Sequence, residues 1–239
     1  MMAEYTAFDT RYGLTLSAGD LDGDWRDELI VGMGPDPKNS GILKVLKYRG
    51  DGFTELMSQT LYSDRTYGIN TTTGDIDGDG LPEIITTPGP GPNSPATVTV
   101  WKYTTDGLTE HFTFTAFDGM YGANVATGDI DGDGLAEIIT GSGPDPKNTA
   151  LVRVYKPDGT LVNEFTPYPA KHNYGTTVSA GDLDSDGVSE IVTGLGPGPQ
   201  NEPLVKIFES DGTETGSLTA YPGKMGYGVN VSIGRTGSQ

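Results

Sequence analysis

Asp75-Ile76-Asp77-Gly78-Asp79-Gly80-Leu81-Pro82-Glu83 is one of four related nonapeptides in this chain, and the fold follows from reading it beside its copies. The others are Asp20-Leu21-Asp22-Gly23-Asp24-Trp25-Arg26-Asp27-Glu28, Asp129-Ile130-Asp131-Gly132-Asp133-Gly134-Leu135-Ala136-Glu137 and Asp182-Leu183-Asp184-Ser185-Asp186-Gly187-Val188-Ser189-Glu190. Their first aspartates stand 55, 54 and 53 residues apart, a period that marks a repeat architecture. Each copy carries carboxylates at loop positions 1, 3, 5 and 9. Alternate residues of a tight loop point inward, and the glutamate closes the cage. Position 7 (Arg26, Leu81, Leu135, Val188) can add a backbone carbonyl. Such an oxygen set suits a hard divalent cation, and the size and flexibility of the loop favour Ca²⁺ over Mg²⁺. Up to four Ca²⁺ are expected.

The loop is not an EF-hand, which needs a bidentate acid at position 12 and flanking helices. Position 12 here is Val31, Thr86, Thr140 or Thr193, and the flanks read as strands. Position 6 is glycine in three loops, as a left-handed turn residue should be. The first loop has Trp25 there. A bulky residue at positive φ is strained, so this site is expected to be distorted, weaker or without an ion.

Around each loop the sequence breaks into four short strand-like segments. The first is a Tyr-Gly segment (Tyr12-Gly13, Tyr67-Gly68, Tyr121-Gly122, Tyr174-Gly175) running into the loop. The second leaves it as Glu28-Leu29-Ile30-Val31 and its copies, short and β-branched like a buried strand. The third alternates, as in Leu43-Lys44-Val45 and Val98-Thr99-Val100. Asp-Gly pairs at Asp51, Asp106, Asp158 and Asp211 then mark a hairpin into a fourth strand. No stretch sustains a helical period. Four antiparallel strands per repeat of about this length make one β-propeller blade, and a linear β-solenoid is disfavoured because its repeats are shorter. The expected fold is all-β, a single propeller domain over 1–239. Its repeats run near 6–58, 59–112, 113–166 and 167–218, with a partial fifth over 219–234.

The Tyr-Gly segment, the Asp-x-Asp-x-Asp-Gly loop and the Gly-Pro-rich stretch after it resemble the FG-GAP repeat of integrin α-subunit propellers and many bacterial extracellular proteins. Gly141-Ser142-Gly143-Pro144 and Gly194-Leu195-Gly196-Pro197 stand where that family has Gly-Ala-Pro, and the likeness covers residues 6 to 234. It implies blades with a calcium loop between the first and second strands, ligand recognition on other loops, and calcium that stiffens the blade without doing chemistry. Family propellers commonly close with seven blades, whereas four full repeats are present here. A fifth begins at Tyr227-Gly228-Val229-Asn230-Val231-Ser232-Ile233-Gly234, but Arg235 stands where the next aspartate belongs and the sequence stops at Gln239. The expectation is a part of a longer propeller, or self-assembly through an apolar edge strand into a dimeric ring or larger array.

Charge and composition narrow the function. The 33 acidic and 15 basic residues leave −18; sixteen of the acids are loop ligands, and four Ca²⁺ would carry +8 and leave −10. No Lys/Arg cluster offers a footprint for nucleic acid. Cysteine is absent, which excludes disulfide and thiolate chemistry. No apolar run reaches membrane-spanning length. Met1-Met2-Ala3 leads into repeat sequence without a signal-peptide pattern. Loops of modest affinity need millimolar calcium, so an extracellular or cell-surface location, the periplasm included, is expected.

The Gly-Pro loops with Asn39, Asn93, Asn148 and Asn201 read first as rigid turns and second as a polar recognition rim. The recurring tyrosines read as inter-blade packing before a sugar platform. His111 and His172 read as solvated side chains. No nucleophile motif, no catalytic carboxylate pair outside the loops and no phosphate loop is present, and four near-identical sites are unlike an active site. The chain is therefore expected to be a calcium-stabilised, non-catalytic binding or adhesion scaffold for a protein or carbohydrate. The alternatives are a calcium-dependent propeller lectin and a polysaccharide-active propeller enzyme.

Overall fold

A computed structural model describes residues 4–10, 12–222 and 225–234. Arg235, Gln239 and Met1–Ala3, on which three of the expectations above fall, lie outside them. Among the described residues there is no helix. The chain forms four four-stranded antiparallel sheets, each a meander in sequence order, which is the blade topology expected. Blade 1 contains β1 (Leu14–Gly19), β2 (Glu28–Met33), β3 (Gly41–Tyr48) and β4 (Phe53–Tyr62). Blade 2 contains β5 (Ile69–Gly74), β6 (Glu83–Pro88), β7 (Pro95–Thr104) and β8 (Gly107–Met120). Blade 3 contains β9 (Ala123–Gly128), β10 (Glu137–Ser142), β11 (Val152–Tyr155) and β12 (Leu161–Phe165). Blade 4 contains β13 (Thr176–Gly181), β14 (Glu190–Leu195), β15 (Leu204–Phe208) and β16 (Glu214–Thr219). The chain divides into two compact units after Ala123.

In each unit the core lies between blades. The second strand is the most buried: β6, β10 and β14 are covered at every residue, as their unbroken apolar and threonine sequence requires. In the first unit Leu21, Ile30, Leu43 and Val45 pack with Ile69, Ile84 and Trp101 of blade 2; in the second, Ile130, Ile139, Val152 and Val154 pack with Val178, Ile191 and Phe208 of blade 4. An aromatic at the end of the outer strand crosses to the next blade. Tyr62 bonds Thr86 Oγ1 at 2.8 Å, and Tyr168 donates to Thr193 O at 3.0 Å.

A second link joins the innermost strands. The side chain at the second strand position donates to the carbonyl one blade on: Thr15 to Ile69 O (2.7 Å), Asn70 to Ala123 O (2.8 Å), Asn124 to Thr176 O (2.7 Å) and Thr177 to Val229 O (2.9 Å). The last bond shows where the fifth partial repeat sits. Residues 225–234 form no ladder strand, contrary to the sequence expectation. They lie extended along β13 instead, held also by Ile233 N–H to Ser179 Oγ at 3.0 Å.

The Tyr-Gly segments are turns, not strand starts. Tyr12, Tyr67, Tyr121, Tyr174 and Tyr227 have φ of 69–76°, and the following glycines are left-handed too. At Gly68 a Cβ would lie 2.1 Å from Met33 O, so only glycine fits. The Gly-Pro loop of the preceding blade holds this turn: Asp36 O accepts from Tyr67 N–H at 3.0 Å and Asn39 O from Gly68 N–H at 3.0 Å. Asn39, Asn148 and Asn201 turn inward and brace their own loops, bonding Gly34 O, Gly143 O and Gly196 O at 2.9–3.0 Å. The second loop uses buried Ser94 at this place, and Asn93 is exposed. These asparagines are internal staples, not a rim. His111 is exposed as expected, but His172 is half-buried, set edge-on to Tyr168 and 3.3 Å from Asn201 Oδ1.

Candidate metal centres

Each aspartate loop is the hairpin between the first two strands of its blade. In three blades the ladder closes on the same pair, Gly19↔Glu28, Gly74↔Glu83 and Gly181↔Glu190, so the position-9 glutamate is the first residue of the second strand. Loop position 2 points the other way. Leu21, Ile76 and Ile130 are buried and anchor their loops from below. The amide of the same residue donates to the glutamate: Leu21 N to Glu28 Oε2 (3.0 Å), Ile76 N to Glu83 (2.9 Å), Ile130 N to Glu137 (3.0 Å) and Leu183 N to Glu190 (2.7 Å).

The aspartates are pre-set by the loop backbone. Asp75 and Asp129 each accept two amides, from positions 4 and 6, at 2.7–3.0 Å. Position 3 accepts from position 5, and position 5 accepts from the amides of Leu81, Leu135 and Val188 at 2.8–2.9 Å. In every loop one carboxylate oxygen from each of positions 1, 3 and 9 lies within 4.8 Å of the other two: Asp20, Asp22, Glu28; Asp75, Asp77, Glu83; Asp129, Asp131, Glu137; Asp182, Asp184, Glu190. The position-5 aspartates Asp24, Asp79, Asp133 and Asp186 stand outside those trios. Trp25 does have the left-handed φ (65°) that its place demands, yet Asp20 still accepts from Asp24 N at 3.0 Å and Trp25 N at 2.7 Å. The first loop keeps the left-handed turn, but its leading aspartate accepts from positions 5 and 6 where Asp75 and Asp129 accept from positions 4 and 6, so its hydrogen bonding differs by one donor. Position 4 is left-handed as well (Gly23, Gly78, Gly132, Ser185), a requirement not recognised from the sequence.

In each trio the glutamate is buried, the first aspartate half-buried and the second exposed, an all-acid cluster whose charge a cation would offset. Glu137 Oε1 is buried and has no hydrogen-bond partner among the described residues. Burial, reinforced by Asp131, Asp133 and Asp129, pushes its carboxyl up to about 7. Burial raises Glu83 and Glu190 in the same direction. An orphaned carboxylate oxygen beside two aspartates in an all-oxygen cage is the fit a hard divalent ion requires. A cleft of 360 Å³ opens beside this third loop, lined by Asp131, Glu137, Lys156, Asn163 and Asp211 among others.

The residue type that sequence reasoning missed is lysine. Lys47, Lys102 and Lys156 recur at the spacing of the loops themselves, just after the third strand's apolar core, and the fourth copy is Glu209. Lys47 Nζ sits inside the first loop, 2.6 Å from Asp22, 2.8 Å from Asp24 and 2.8 Å from Glu28. Burial pulls its pKa down, but the three carboxylates outweigh burial and raise it. Lys102 bonds Asp77 and reaches Asp79 at 3.3 Å and Glu83 at 3.7 Å. The signal was available as a conserved offset within this one chain: lysine 27 residues after each of the first three leading aspartates.

A model of the FG-GAP-like repeat matches residues 20–86, and one of the FG-GAP repeat matches 121–155. The chain carries repeats of the FG-GAP type over those residues. Integrin alpha-PS2 of Drosophila melanogaster is 25% identical across 84% of this chain, and human integrin alpha-8 is 29% identical across 44% of it. The FG-GAP chain spans only 16% and 9% of those two relatives. Among solved structures, the rhamnogalacturonan lyases YesW and YesX superpose with TM-scores of 0.56 and 0.55 at 20% identity. They cover 85% and 84% of this chain, which spans 42% and 40% of theirs, and at that identity the likeness is one of fold. Among the described residues no helix is long and apolar enough to cross a membrane.

Proposed function

We propose that this FG-GAP chain is a calcium-stabilised, non-catalytic binding scaffold that works outside the cytosol. The observation that carries it is the buried, unpartnered Glu137 Oε1 facing Asp129 and Asp131. Calcium is proposed to be held by Asp129, Asp131, Asp133, Glu137 and the Leu135 carbonyl, and by the corresponding residues of loops 2 and 4 (Leu81 and Val188 at position 7). The Arg26 carbonyl is the corresponding group of loop 1. The ion supplies charge and rigidity; the residues supply a fixed hairpin on which adjacent blades pack. The integrin relatives support an adhesion-type role with a protein partner, and carbohydrate is the alternative partner. Thermal unfolding in EDTA and in millimolar Ca²⁺ tests the reading: a calcium-dependent rise in Tm is expected, and an unchanged Tm defeats it. A glycan array read with and without chelator then separates carbohydrate from protein.

A second reading has one observation in its favour. The fold is shared with two rhamnogalacturonan lyases, and the cleft beside the third loop brings Lys156 together with Asp131, Glu137 and Asp211. Release of unsaturated product from a pectic polysaccharide panel would support a polysaccharide-acting chain over a scaffold.

A further inference from the structure

We infer that Lys47 is a built-in cation that occupies the ion position of the first loop, so that blade 1 is held by its own ammonium group and takes no divalent ion. This rests on the reading of the other loops as calcium sites. The first loop has the backbone of a metal hairpin: Asp20, Asp22 and Glu28 lie within 4.8 Å of one another, as in the other three. Lys47 reaches two of these carboxylates, and Asp24 besides, at 2.6–2.8 Å. The contact to Asp22 is a charge-assisted hydrogen bond, and those to Asp24 and Glu28 are ion pairs at 2.8 Å, so one ammonium faces three carboxylates.

What separates this lysine from its copies is its access to water. The Lys47 side chain is 4% exposed and that of Lys102 is 36% exposed. Lys102 can swing its amine into solvent when a divalent ion arrives. Lys47 would have to break three ion pairs and leave a buried position. Among the described residues Lys156 forms no ion pair with the third loop, and its side chain lines the neighbouring cleft. In the fourth blade Glu209 adds a carboxylate and no cation; its charge helps raise Glu190. The four loops are thus one backbone with four counter-ion settings: a fixed ammonium in the first, a displaceable one in the second, and acid-dominated cages in the third and fourth.

Native mass spectrometry of the intact chain in Ca²⁺ reads the stoichiometry. The expected maximum is three Ca²⁺ per chain for the wild type and four for Lys47→Met. Four ions on the wild type would overturn the inference while leaving the calcium reading intact. No ion on either protein would overturn both. Should Lys47→Met fail to fold even in Ca²⁺, terbium luminescence on the wild-type background decides. Trp25 lies in the first loop, so Tb³⁺ bound there would be sensitised by its indole. Emission excited through tryptophan is expected to be the same in the wild type and in Trp25→Phe; a drop in the variant would place an ion in the first loop and overturn the inference.

Discussion

Glu28 and Glu137 are both buried with an Oε1 that makes no hydrogen bond, yet Glu28 Oε1 has the Lys47 ammonium 2.8 Å away and Glu137 forms no ion pair among the described residues. The two hairpins are alike in the amide bonded to the glutamate, in the trio of facing carboxylates and in the apolar anchor at position 2. The difference lies in one side chain that comes from the third strand, 27 residues from the leading aspartate. A buried carboxylate cluster is costly unless a counter-charge comes with it. Blade 1 carries that charge in the polypeptide, and on the calcium reading blade 3 takes it from solution. Stability in the two blades should therefore respond differently to every change that touches cations.

Chelation is the largest of these changes. An ion at a hundredfold excess over its Kd adds about 2.7 kcal/mol, so three saturated sites add about 8 kcal/mol that EDTA removes. The loss should be local. In hydrogen exchange with EDTA the Ile130 amide, which donates to Glu137, should exchange faster, while the Leu21 amide, which donates to Glu28, stays protected. Equal acceleration at both amides would erase the contrast between the blades.

The position-2 anchors come next. Leu21→Ala and Ile130→Ala each remove a fully packed aliphatic side chain, at a cost of about 2–5 kcal/mol by urea denaturation. The comparison sharpens when the measurement is repeated in Ca²⁺. The Leu21→Ala cost should be the same with and without the ion. The Ile130→Ala cost should be greater in Ca²⁺, because a loop that has lost its floor also holds its ion less well.

Much of this was legible in the sequence because the ligand pattern and the strand pattern share one period. The nonapeptides announced the loops, the buried β-branched runs announced β6, β10 and β14, and the Asp-Gly pairs announced the outer hairpins. What stayed hidden depends on contacts between blades or on backbone sign. The Tyr-Gly pairs read as strand because tyrosine favours strands, and only their hydrogen bonds to the preceding Gly-Pro loop hold that bulky residue at φ near 70°. The asparagines read first as turn residues and second as a recognition rim, and the inward amides of Asn39, Asn148 and Asn201 decide for the turns. Lys47 drew no reading from the sequence. Its proximity to Asp22 crosses 25 residues of chain, a distance no local pattern records.

Acidity gives a third test, of similar or smaller size. In the metal-free protein the Glu137 carboxyl is raised from 4.5 to about 7. Between those values the folded chain keeps a proton that the unfolded chain has released, so stability must fall as pH rises through that window. Below about 4.5 and above about 7 this group adds no slope. The full shift corresponds to at most about 3 kcal/mol. Tm in EDTA should drop from pH 5 to pH 7, and Glu137→Gln should flatten that part of the profile while abolishing any gain from Ca²⁺ at the third loop. A flat wild-type profile would mean that the carboxylate already has a counter-charge, as Glu28 does.

The smallest expected effect belongs to the strained residue of the first loop. Trp25 is 94% exposed at φ 65°, so its indole contributes little packing while its Cβ incurs the left-handed penalty, about 1–2 kcal/mol. Glycine at the same place removes that penalty, but gives the unfolded chain about 0.4–1 kcal/mol of extra freedom. Trp25→Gly should therefore stabilise the protein by about 1 kcal/mol or less, and Ser185→Gly, at φ 69° in the fourth loop, should do the same. Both gains come from the backbone alone and should be indifferent to Ca²⁺ in the first loop, where Lys47 supplies the charge. In the fourth loop a better-formed hairpin also presents its carboxylates to an ion, so the Ser185→Gly gain should widen when Ca²⁺ is added. A Trp25→Gly gain that widened with Ca²⁺ in the same way would place an ion where the ammonium of Lys47 now sits.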